Sequence, residues 1–475
     1  MVQAAREDTA DLLIVGAGTA GIPAAIFAAR GGASVTVIDA AEAVGGTLHL
    51  SAGQISAAST PAQRRRRIDD DPDRHFADIM RISRDTADRA LARLAVDHVS
   101  DMLAWLVDSG IDLPAEHPVI DPVNEPYSRP RTYWHADGGR AILRTIVPQF
   151  EAERRSGRIA LYLRTRLRRL IVEDGRVAGV WAETGGTERL FRARTVILAT
   201  GGFTADPATF ARMTGGMAQH GAGYPFARGD GLAAALDAGG VAANVDLFLP
   251  AFAAVENPAA RDGYAFETRL DPAIRPPWEV YVDLDGRRFM REDEPDLNTR
   301  QRALLGLRDL RFWAIYDERM IREGPPFPSR GWHALDDRFA AGLPGYVHGD
   351  TMASLADRMQ VDPAVLVKTI ATYNRALADG LPDMFGRLHR PRAIGAPCYA
   401  IRHSGWSPTG FAGLAVDGDL RVVDAHRTPI AGLYAAGEII GMGATAGRSF
   451  CSGMSLGPAL TFGRLLGQRL ASGQG

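Results

Sequence analysis

Three glycines near the start of the chain, Gly16, Gly18 and Gly21, have the spacing of a turn that binds phosphate groups. They follow one apolar segment, and a second apolar segment ends in Asp39. In a βαβ unit of this kind the glycines permit the tight turn, the approach of a pyrophosphate and the close packing of helix on strand. The phosphates lie at the positive end of the helix, and the acid binds a ribose hydroxyl. The sequence therefore predicts a dinucleotide site here.

Small residues recur at three later places in the chain. The segment from Ala43 to Thr60 is rich in glycine and serine, which suits a backbone that lies against a cofactor. A buried strand is predicted to end at Ala199 to Gly202, and Gly437-Glu438 follows another apolar segment near the end of the sequence. Both ends of the chain are therefore expected to build one nucleotide-binding domain.

The length and charge of the chain limit the function classes. At 475 residues it is long for one core, so a second or inserted domain is expected. A formal net charge of -2 indicates no general attraction to nucleic acid or to anionic membranes. The basic run Arg64 to Arg67 precedes Asp69 to Asp71, and we predict a self-neutralising surface segment there.

The cysteines and the apolar segments bear on location. Cys398 and Cys451 form no disulfide framework or metal-ligand pattern, so no metal is predicted and a reducing compartment fits. Met1 to Thr9 shows no secretory signal, and the stretch Leu12 to Ala29 is interrupted by glycines and a proline. We therefore predict a cytoplasmic protein with no membrane span and no nucleic-acid partner.

The pattern along the chain divides it into three parts. Residues 1–247 are predicted to form the first part of the nucleotide-binding domain, with a helical excursion over about 61–150. Residues 248–408 are rich in proline and aromatic side chains and contain a helix predicted to begin after Asp362, so we expect an inserted domain. Residues 409–475 return to the first domain. The predicted fold class is α/β, a Rossmann-like domain built from both chain ends with an inserted α+β domain.

Short motifs distributed along nearly the whole chain carry a family resemblance. They are Gly16 to Asp39, Gly45-Gly46-Thr47 with Ser51-Ala52-Gly53, Ala199 to Gly202, Gly229-Asp230-Gly231, Gly286 to Phe289 with Glu292, and Gly432 to Glu438. Together these stretches resemble the fumarate reductase and 3-ketosteroid dehydrogenase flavoproteins. The resemblance implies FAD as the cofactor, a nucleotide domain of the glutathione reductase type 2 (GR2) class, and an inserted domain that caps the substrate. Thr47 stands where some relatives attach FAD to a histidine, so non-covalent FAD is expected.

The resemblance also implies which residues contact FAD. The adenosine half is expected on the first glycine turn and the flavin half on later segments. The expected contacts are Gly16, Ala17, Gly18, Thr19, Ala20, Gly21, Asp39, Ala40, Gly45, Gly46, Thr47, Ser51, Ala52, Gly53, Gln54, Ala199, Thr200, Gly201, Asp230, Gly437, Glu438, Ser455 and Leu456.

The chain departs from both families in the stretches that carry their chemistry. The Asn-Arg-Leu-Gly-Gly-Asn motif of fumarate reductases is replaced by the segment Gly447 to Gly453, and their histidine before Gly-Gly-Leu is missing around Ser407. The segment Gly453 to Gly463 resembles the ketosteroid dehydrogenase ending, but the tyrosine that precedes it in that family is absent. These differences disfavour a plain fumarate reductase and leave a steroid substrate open.

The expected reaction acts on a CH–CH bond next to a carbonyl group. Desaturation of a ketone needs a hydride acceptor, a base for the adjacent C–H and donors on the carbonyl oxygen. We predict ketone desaturation with hydride transfer to FAD, on a small carbonyl substrate with an external electron acceptor. The alternatives are an ene-reductase of an enone or enoate fed by an external electron donor, and a non-catalytic flavin electron-transfer subunit.

Candidate catalytic residues follow from the same comparison. The N–H of Gly453 is expected to polarise the substrate oxygen at the head of the last helix, and Arg448 to bind a carbonyl or carboxylate or else to lie on the surface. Tyr133, with Tyr127 as its neighbour, is the predicted proton-transfer residue, and Arg300 stands near the place of a relay arginine. Cap tyrosines are further candidates: Tyr264, Tyr281 and Tyr316.

Overall fold

The computed structural model describes residues 8–121 and 124–472 of the chain, which form a large mixed α/β domain and an inserted cap. The strands are β1 Asp8–Val15, β2 Val35–Ile38, β3 Ile55–Ser56, β4 Thr132–Tyr133, β5 Ile159–Tyr162, β6 Thr165–Glu173, β7 Arg176–Thr184, β8 Thr187–Leu198, β9 Ala242–Ala243, β10 Ala251–Glu256, β11 Tyr264–Ala265, β12 Val280–Val282, β13 Arg311–Asp317, β14 Tyr346–Gly349, β15 Cys398–Trp406, β16 Gly413–Leu414, β17 Arg421–Val423 and β18 Pro429–Ala435.

The helices are spread over both domains. They are α1 Gly21–Arg30, α2 Pro61–Arg65, α3 Pro72–Ser83, α4 Arg89–Asp108, α5 Gly139–Arg155, α6 Pro207–Met213, α7 Asp230–Asp237, α8 Leu297–Leu304, α9 Glu318–Glu323, α10 Asp336–Ala340, α11 Met352–Met359, α12 Pro363–Ala378, α13 Gly443–Ala446 and α14 Leu456–Ala471.

Five parallel strands form the centre of the large domain, in the order β18-β8-β1-β2-β5. Their buried runs of Val, Ile and Leu are typical of a parallel sheet that is covered on both faces. Helices α1 and α14 pack together, and a Cβ on Gly463 would lie 2.1 Å from the Ala20 carbonyl oxygen. The two ends of the chain therefore share one core, and the predicted fold class is confirmed.

An antiparallel meander, β6-β7-β8, extends the sheet. Asp174 and Gly175 connect β6 to β7 with positive φ values, as the Asp-Gly pair in the sequence indicates. The predicted hairpin is therefore present. Side chains of its strand β6 line a cleft beside the sheet.

The helical excursion is held by a buried ion cluster. The fully buried guanidinium of Arg131 lies 2.8 Å from Asp70 and 2.9 Å from Asp78. Asp71 caps helix α3, where its side chain accepts the N–H of Arg74. The sequence predicts that Asp70 neutralises the basic run Arg64 to Arg67. In the structure Asp70 instead pairs with the buried Arg131 inside the excursion.

The cap is built around a six-stranded sheet in the order β11-β10-β15-β13-β12, with β14 paired to β15. All of these pairings are antiparallel, and helix α12 begins after Asp362, whose side chain accepts the N–H of Ala364. The predicted capping of this helix is confirmed. Strands of the large sheet precede and follow the cap in the chain, so the cap is an insertion.

Buried ion pairs cross the interior of the cap. Arg288 donates to Glu292 at 2.7 and 2.9 Å and to Asp383 at 2.7 Å, and Arg387 donates to Glu292 at 3.0 Å. All four side chains are buried, so each charge depends on its partners for the hydrogen bonds that water would supply.

No helix within 8–121 or 124–472 combines the length and apolar character needed to cross a membrane. That part of the chain also holds no group of three or more side chains placed to bind a metal ion. The prediction about Met1 to Thr9 concerns mainly residues 1–7, which lie outside the described residues.

Candidate cofactor and substrate cleft

Four parallel strands of the large sheet end at one cleft. Its first part has a volume of about 720 Å³ and is bordered by the residues that follow β1, β2, β8 and β18. A crevice at the carboxyl ends of parallel strands is the usual ligand site of such a sheet. The predicted cofactor contacts that line this part are Gly16, Gly18, Thr19, Ala20, Asp39, Ala40, Gly46, Thr47, Ala199, Thr200, Gly201, Asp230, Gly437 and Glu438.

Backbone conformation explains the first glycines. Gly16 has a φ of 109°, and a Cβ there would lie 2.2 Å from the carbonyl oxygen of Ala199. A Cβ on Gly18 would meet no atom closer than 3.7 Å, so this glycine keeps the wall of the cleft open. The turn leaves backbone groups exposed to a pyrophosphate at the N-terminus of α1, as a dinucleotide requires.

Two carboxylates border the adenosine end of the cleft. Asp39 accepts the N–H groups of Ala17 at 2.6 Å and Ala41 at 2.7 Å, and burial raises the pKa of this carboxyl above its ordinary value. Asp230 at the start of α7 receives a two-pronged hydrogen bond from Arg166, at 2.6 and 2.8 Å. Asp39 is therefore fixed by the backbone at the end of β2, where a ribose hydroxyl is expected.

The second part of the cleft continues toward the cap and has a volume of about 1050 Å³. The two parts share Thr19, Thr47, Tyr224, Gly437 and Glu438, so they form one continuous site. The predicted contacts Ser51, Ser455 and Leu456 line only this second part.

Glu438 sits where the two parts meet. Its buried carboxylate accepts hydrogen bonds from the Thr409 hydroxyl at 2.9 Å and the Gly410 N–H at 3.2 Å. Burial raises the pKa of Glu438 above its ordinary value. Nearby, the buried Thr200 hydroxyl has no hydrogen-bond partner within the described part of the chain, although it lines the cleft. The junction thus offers both a carboxylate and an unused hydroxyl to a polar ligand chain.

A loop of the cap closes over the second part. Arg261 donates from Nη1 to the Gly223 carbonyl at 2.9 Å, and Asp262 accepts the Ala222 N–H at 3.2 Å. The same Asp262 carboxylate accepts the indole N–H of Trp406 at 3.0 Å. Because Arg261 and Trp406 both line the cleft, these contacts hold a cation and an aromatic ring at its mouth.

Several predicted cofactor residues lie behind the walls rather than on them. Ala17 accepts the Gly45 N–H at 2.7 Å, and a Cβ on Gly21 would lie 1.8 Å from the Gly16 carbonyl oxygen. Gly53 packs against the start of α5, and Gln54 donates to Asp121 at 3.3 Å. These residues shape the cradle. Ala52, between them, is likewise outside the described lining.

The predicted proton-transfer tyrosines are outside the cleft. The Tyr133 hydroxyl is hydrogen-bonded to the Thr60 hydroxyl, and burial raises the pKa of Tyr133 to about 12. Tyr127 is fully enclosed and donates to the Ser452 carbonyl at 2.6 Å, and burial raises its pKa well above the ordinary value. Neither lines the cleft, because the segment that carries them faces the helical excursion. The geometry does not support a proton-transfer role for either.

The two predicted catalytic arginines also point elsewhere. Arg448 is exposed and pairs with Asp246 at 2.9 Å, which is the surface alternative. Arg300 is buried and donates to Asp271 at 3.2 Å and to the Leu270 carbonyl at 3.1 Å. Gly453 lies three residues before α14, where a Cβ would be 2.3 Å from the Ser56 nitrogen. The predicted role of its N–H stays a prediction.

Sequence reasoning missed several residues on the walls. Arg261 and Trp406 come from the cap, and Tyr224 and Phe226 precede the Gly229-Asp230-Gly231 stretch. These four residues form no recognisable sequence motif. The one usable signal was the position of Tyr224 and Phe226 immediately before that glycine stretch.

Known proteins resemble this chain in sequence over most of its length. The profile of the FAD binding domain family matches residues 11–454. The fumarate reductase (cytochrome) of Shewanella frigidimarina is 27% identical over 98% of this chain and 78% of its own. The 4-oxocyclohexanecarboxylate 2-dehydrogenase of Sinomonas cyclohexanicum is 25% identical over 98% of this chain and 93% of its own.

A solved structure gives the same fold. The 3-ketosteroid delta1-dehydrogenase from Sterolibacterium denitrificans superposes with a TM-score of 0.78, covering 98% of this chain and 100% of that one at 20% identity. The glycine cradle, Asp39 and the polar junction at Glu438 fit FAD, and the predicted family is confirmed. The chain belongs to the FAD binding domain family and is an FAD-dependent oxidoreductase whose curated homologues act on CH–CH bonds.

Proposed function

We propose that the enzyme desaturates a small ketone at the CH–CH bond next to its carbonyl group, with hydride transfer to FAD. The observation that carries this proposal is the charge of the second part of the cleft. Among the described residues that line it, Arg261 is the single cation. Glu438 is the one carboxylate among the same residues, and its Oε1 accepts hydrogen bonds from Thr409 and Gly410.

One cation matches a substrate with one carbonyl or carboxylate group better than a dicarboxylate. A guanidinium binds a single carboxylate or carbonyl oxygen through its fork of N–H groups, and a second buried anion would lack a partner. The rest of the wall is largely apolar and aromatic, which suits a hydrocarbon ring. The apolar and aromatic lining comprises Leu50, Trp406, Pro408, Ile440, Met442, Leu456, Pro458 and Phe462.

The residues of the chain would act on the substrate in three ways. Arg261, positioned by the Gly223 carbonyl, would hold the substrate oxygen and stabilise the negative charge that grows on it. The apolar wall and Trp406 would exclude water from the reacting carbons. Glu438, the one carboxylate among the described lining residues, would accept the proton that leaves the carbon next to the carbonyl group. Bound FAD would supply the hydride acceptor.

The relatives support the same class of substrate. By its name, the Sinomonas dehydrogenase acts on a cyclic ketone that bears one carboxylate, and it matches this chain along almost its whole length. Reduction of an enone or enoate remains the alternative, since relatives named for reductases of fumarate and of acrylate also match. A third candidate, a flavin subunit without its own substrate, is supported by no observation at the cleft.

Anaerobic mixing tests the proposal. The oxidised holoenzyme is mixed with 4-oxocyclohexanecarboxylate or with cyclohexanone, and the flavin absorbance is followed; bleaching is expected with the ketones. Reduced holoenzyme is mixed with cyclohexenone, acrylate and fumarate in parallel. Bleaching absent with both ketones, together with fast reoxidation by fumarate, would contradict the proposal.

A pair of cap variants tests the role of Arg261. Arg261→Met is expected to lower the rate of flavin reduction at least about tenfold, because one charge-assisted hydrogen bond to the substrate oxygen is lost. Arg269→Met is the matched control, since Arg269 is an exposed cap arginine that donates to the Ser329 carbonyl at 3.1 Å. Equal rates in both variants would remove Arg261 from the proposal.

A further inference from the structure

A second cavity lies outside the cofactor cleft, between helices α2 and α4 and the segment that follows α4. Its volume is about 890 Å³, part of it open to solvent. Leu103 and Ala104 of α4 form one wall, and Ile111 and Leu113 form the opposite one. The described residues that line it are different from those of the cofactor cleft, so the proposed function makes no use of it.

The inner end of this cavity is polar. Thr60, His117 and Tyr133 line it, and the hydroxyls of Thr60 and Tyr133 are hydrogen-bonded to each other. His117 is 6% exposed, and neither of its ring nitrogens makes a well-aligned hydrogen bond within the described residues, although the Pro114 carbonyl lies near the ring. Buried polar groups are nearly always paired, so an unpaired imidazole at the end of a cavity points to a missing partner.

Charges are confined to the rim. Arg65, Asp108 and Asp112 line the outer part of the cavity and are exposed. Burial lowers the pKa of His117, so its ring is neutral at neutral pH and offers one donor and one acceptor. A charged group at the inner end would lose its water without gaining a counter-charge. The cavity therefore selects against ions and favours a neutral compound.

We propose that this cavity is a binding site for a neutral ring compound that bears one hydroxyl or carbonyl oxygen. The ring lies between the apolar side chains of α4 and those of the segment after it. The oxygen lies at the inner end, where it gives His117 the hydrogen-bond partner that the protein lacks. The proposal concerns a separate site and does not depend on the substrate of the FAD reaction.

Calorimetry on the holoenzyme tests the ligand class. The probe is p-cresol, compared with p-toluate, which has a similar ring but carries a charge, and with toluene, which lacks the oxygen. We expect p-cresol to bind at one site without changing the visible spectrum of the flavin, and the other two to bind at least about tenfold more weakly. No binding of p-cresol, or binding that perturbs the flavin spectrum, overturns the proposal.

Three variants locate the site. Ala104→Phe fills the cavity and is expected to abolish binding, and His117→Phe removes the ring nitrogens and is expected to weaken it about tenfold. His75→Phe is the control, because His75 is also buried with both ring nitrogens unpaired in the described structure but packs on Tyr127 instead of lining the cavity. FAD content establishes that each variant is folded. Wild-type affinity in His117→Phe, or a loss of the same size in His75→Phe, overturns the proposal.

Discussion

The cofactor cleft is lined mainly by backbone and small side chains, whereas the interior of the cap is held by buried charged side chains. In the cleft, the backbone at Gly16 has no space for a Cβ, Gly18 leaves room for a ligand, and Asp39 is fixed by two backbone N–H groups. In the cap, Arg288 and Arg387 share the Glu292 carboxylate. Substitutions that add atoms should therefore disrupt the cleft, and substitutions that remove a charged group should disrupt the cap.

The difference follows from what each region does. A nucleotide cradle must match one cofactor, so its requirements fall on main-chain conformation. In the cap, buried ion pairs fix how strands and loops pack. Substitutions should therefore damage the two regions by different physical routes.

The largest expected effect is in the cleft. Gly16→Ala would place a Cβ 2.2 Å from the Ala199 carbonyl oxygen and should lower the FAD content of purified protein at least about tenfold. Gly32→Ala is the control, because Gly32 has a φ of 95° with no atom within 4 Å of the added carbon. The measurement is flavin absorbance per protein. Full FAD content in Gly16→Ala would show that the cradle is more adaptable than its geometry indicates.

Breaking the buried ion pairs of the cap is expected to have the second-largest effect. Glu292→Gln removes the anion that Arg288 and Arg387 share and should lower the free energy of unfolding by about 3–5 kcal/mol, since a buried charge loses its partner. Urea unfolding followed by tryptophan fluorescence measures this change. A loss below about 1 kcal/mol would mean that the network contributes as little as exposed pairs do.

A pH effect in the cap is expected to be smaller. Nδ1 of His403 lies 3.0 Å from the Ile401 carbonyl, which only accepts, so this nitrogen carries the proton and Nε2 accepts from Thr268. Burial lowers the pKa of His403 to about 4. Because the unfolded pKa is about 6.5, the unfolded chain binds more protons between these values, and stability falls as the pH drops through this window.

At about pH 5 this loss amounts to about 2 kcal/mol relative to neutral pH. Urea midpoints measured across the window should therefore slope less steeply in His403→Gln than in the wild type. His333→Gln, at a fully exposed position, should keep the wild-type slope. Identical slopes in all three proteins would exclude His403 as the source.

The smallest expected effect concerns an ion pair on the surface. Arg448→Ala breaks the exposed pair with Asp246 and should change the free energy of unfolding by less than about 1 kcal/mol. Comparing the loss of unfolding free energy in Arg448→Ala with that in Glu292→Gln, under the same conditions, separates the effect of burial from that of charge. A loss above about 2 kcal/mol would place Arg448 in a more enclosed environment than the structure gives it.

The sequence is most informative about the cleft where backbone geometry decides the residue type. Gly16 and Gly18 are required by conformation and by a close approach, and Asp39 ends a strand whose direction follows from the βαβ unit. Such constraints are local, so they can be recognised without the rest of the fold.

The sequence failed where a side chain's direction depends on distant packing. The sequence left open whether Arg448 binds the substrate or lies on the surface, and its guanidinium pairs with Asp246 on the surface. Arg261 reaches the cleft only because its loop is fastened to Gly223. Tyr133 faces the helical excursion because β4 pairs with β3. None of these orientations is encoded by residue type or by spacing.

Strand β18 also has a consequence for biosynthesis. It pairs with β8 at Val196, Ile197 and Leu198, beyond the last residue that β7 covers. While the ribosome is still translating the cap, this hydrophobic edge has no neighbour on that side and α1 has not yet met α14. Until the final segment emerges, this edge of the nascent protein therefore stays open to pairing with other chains.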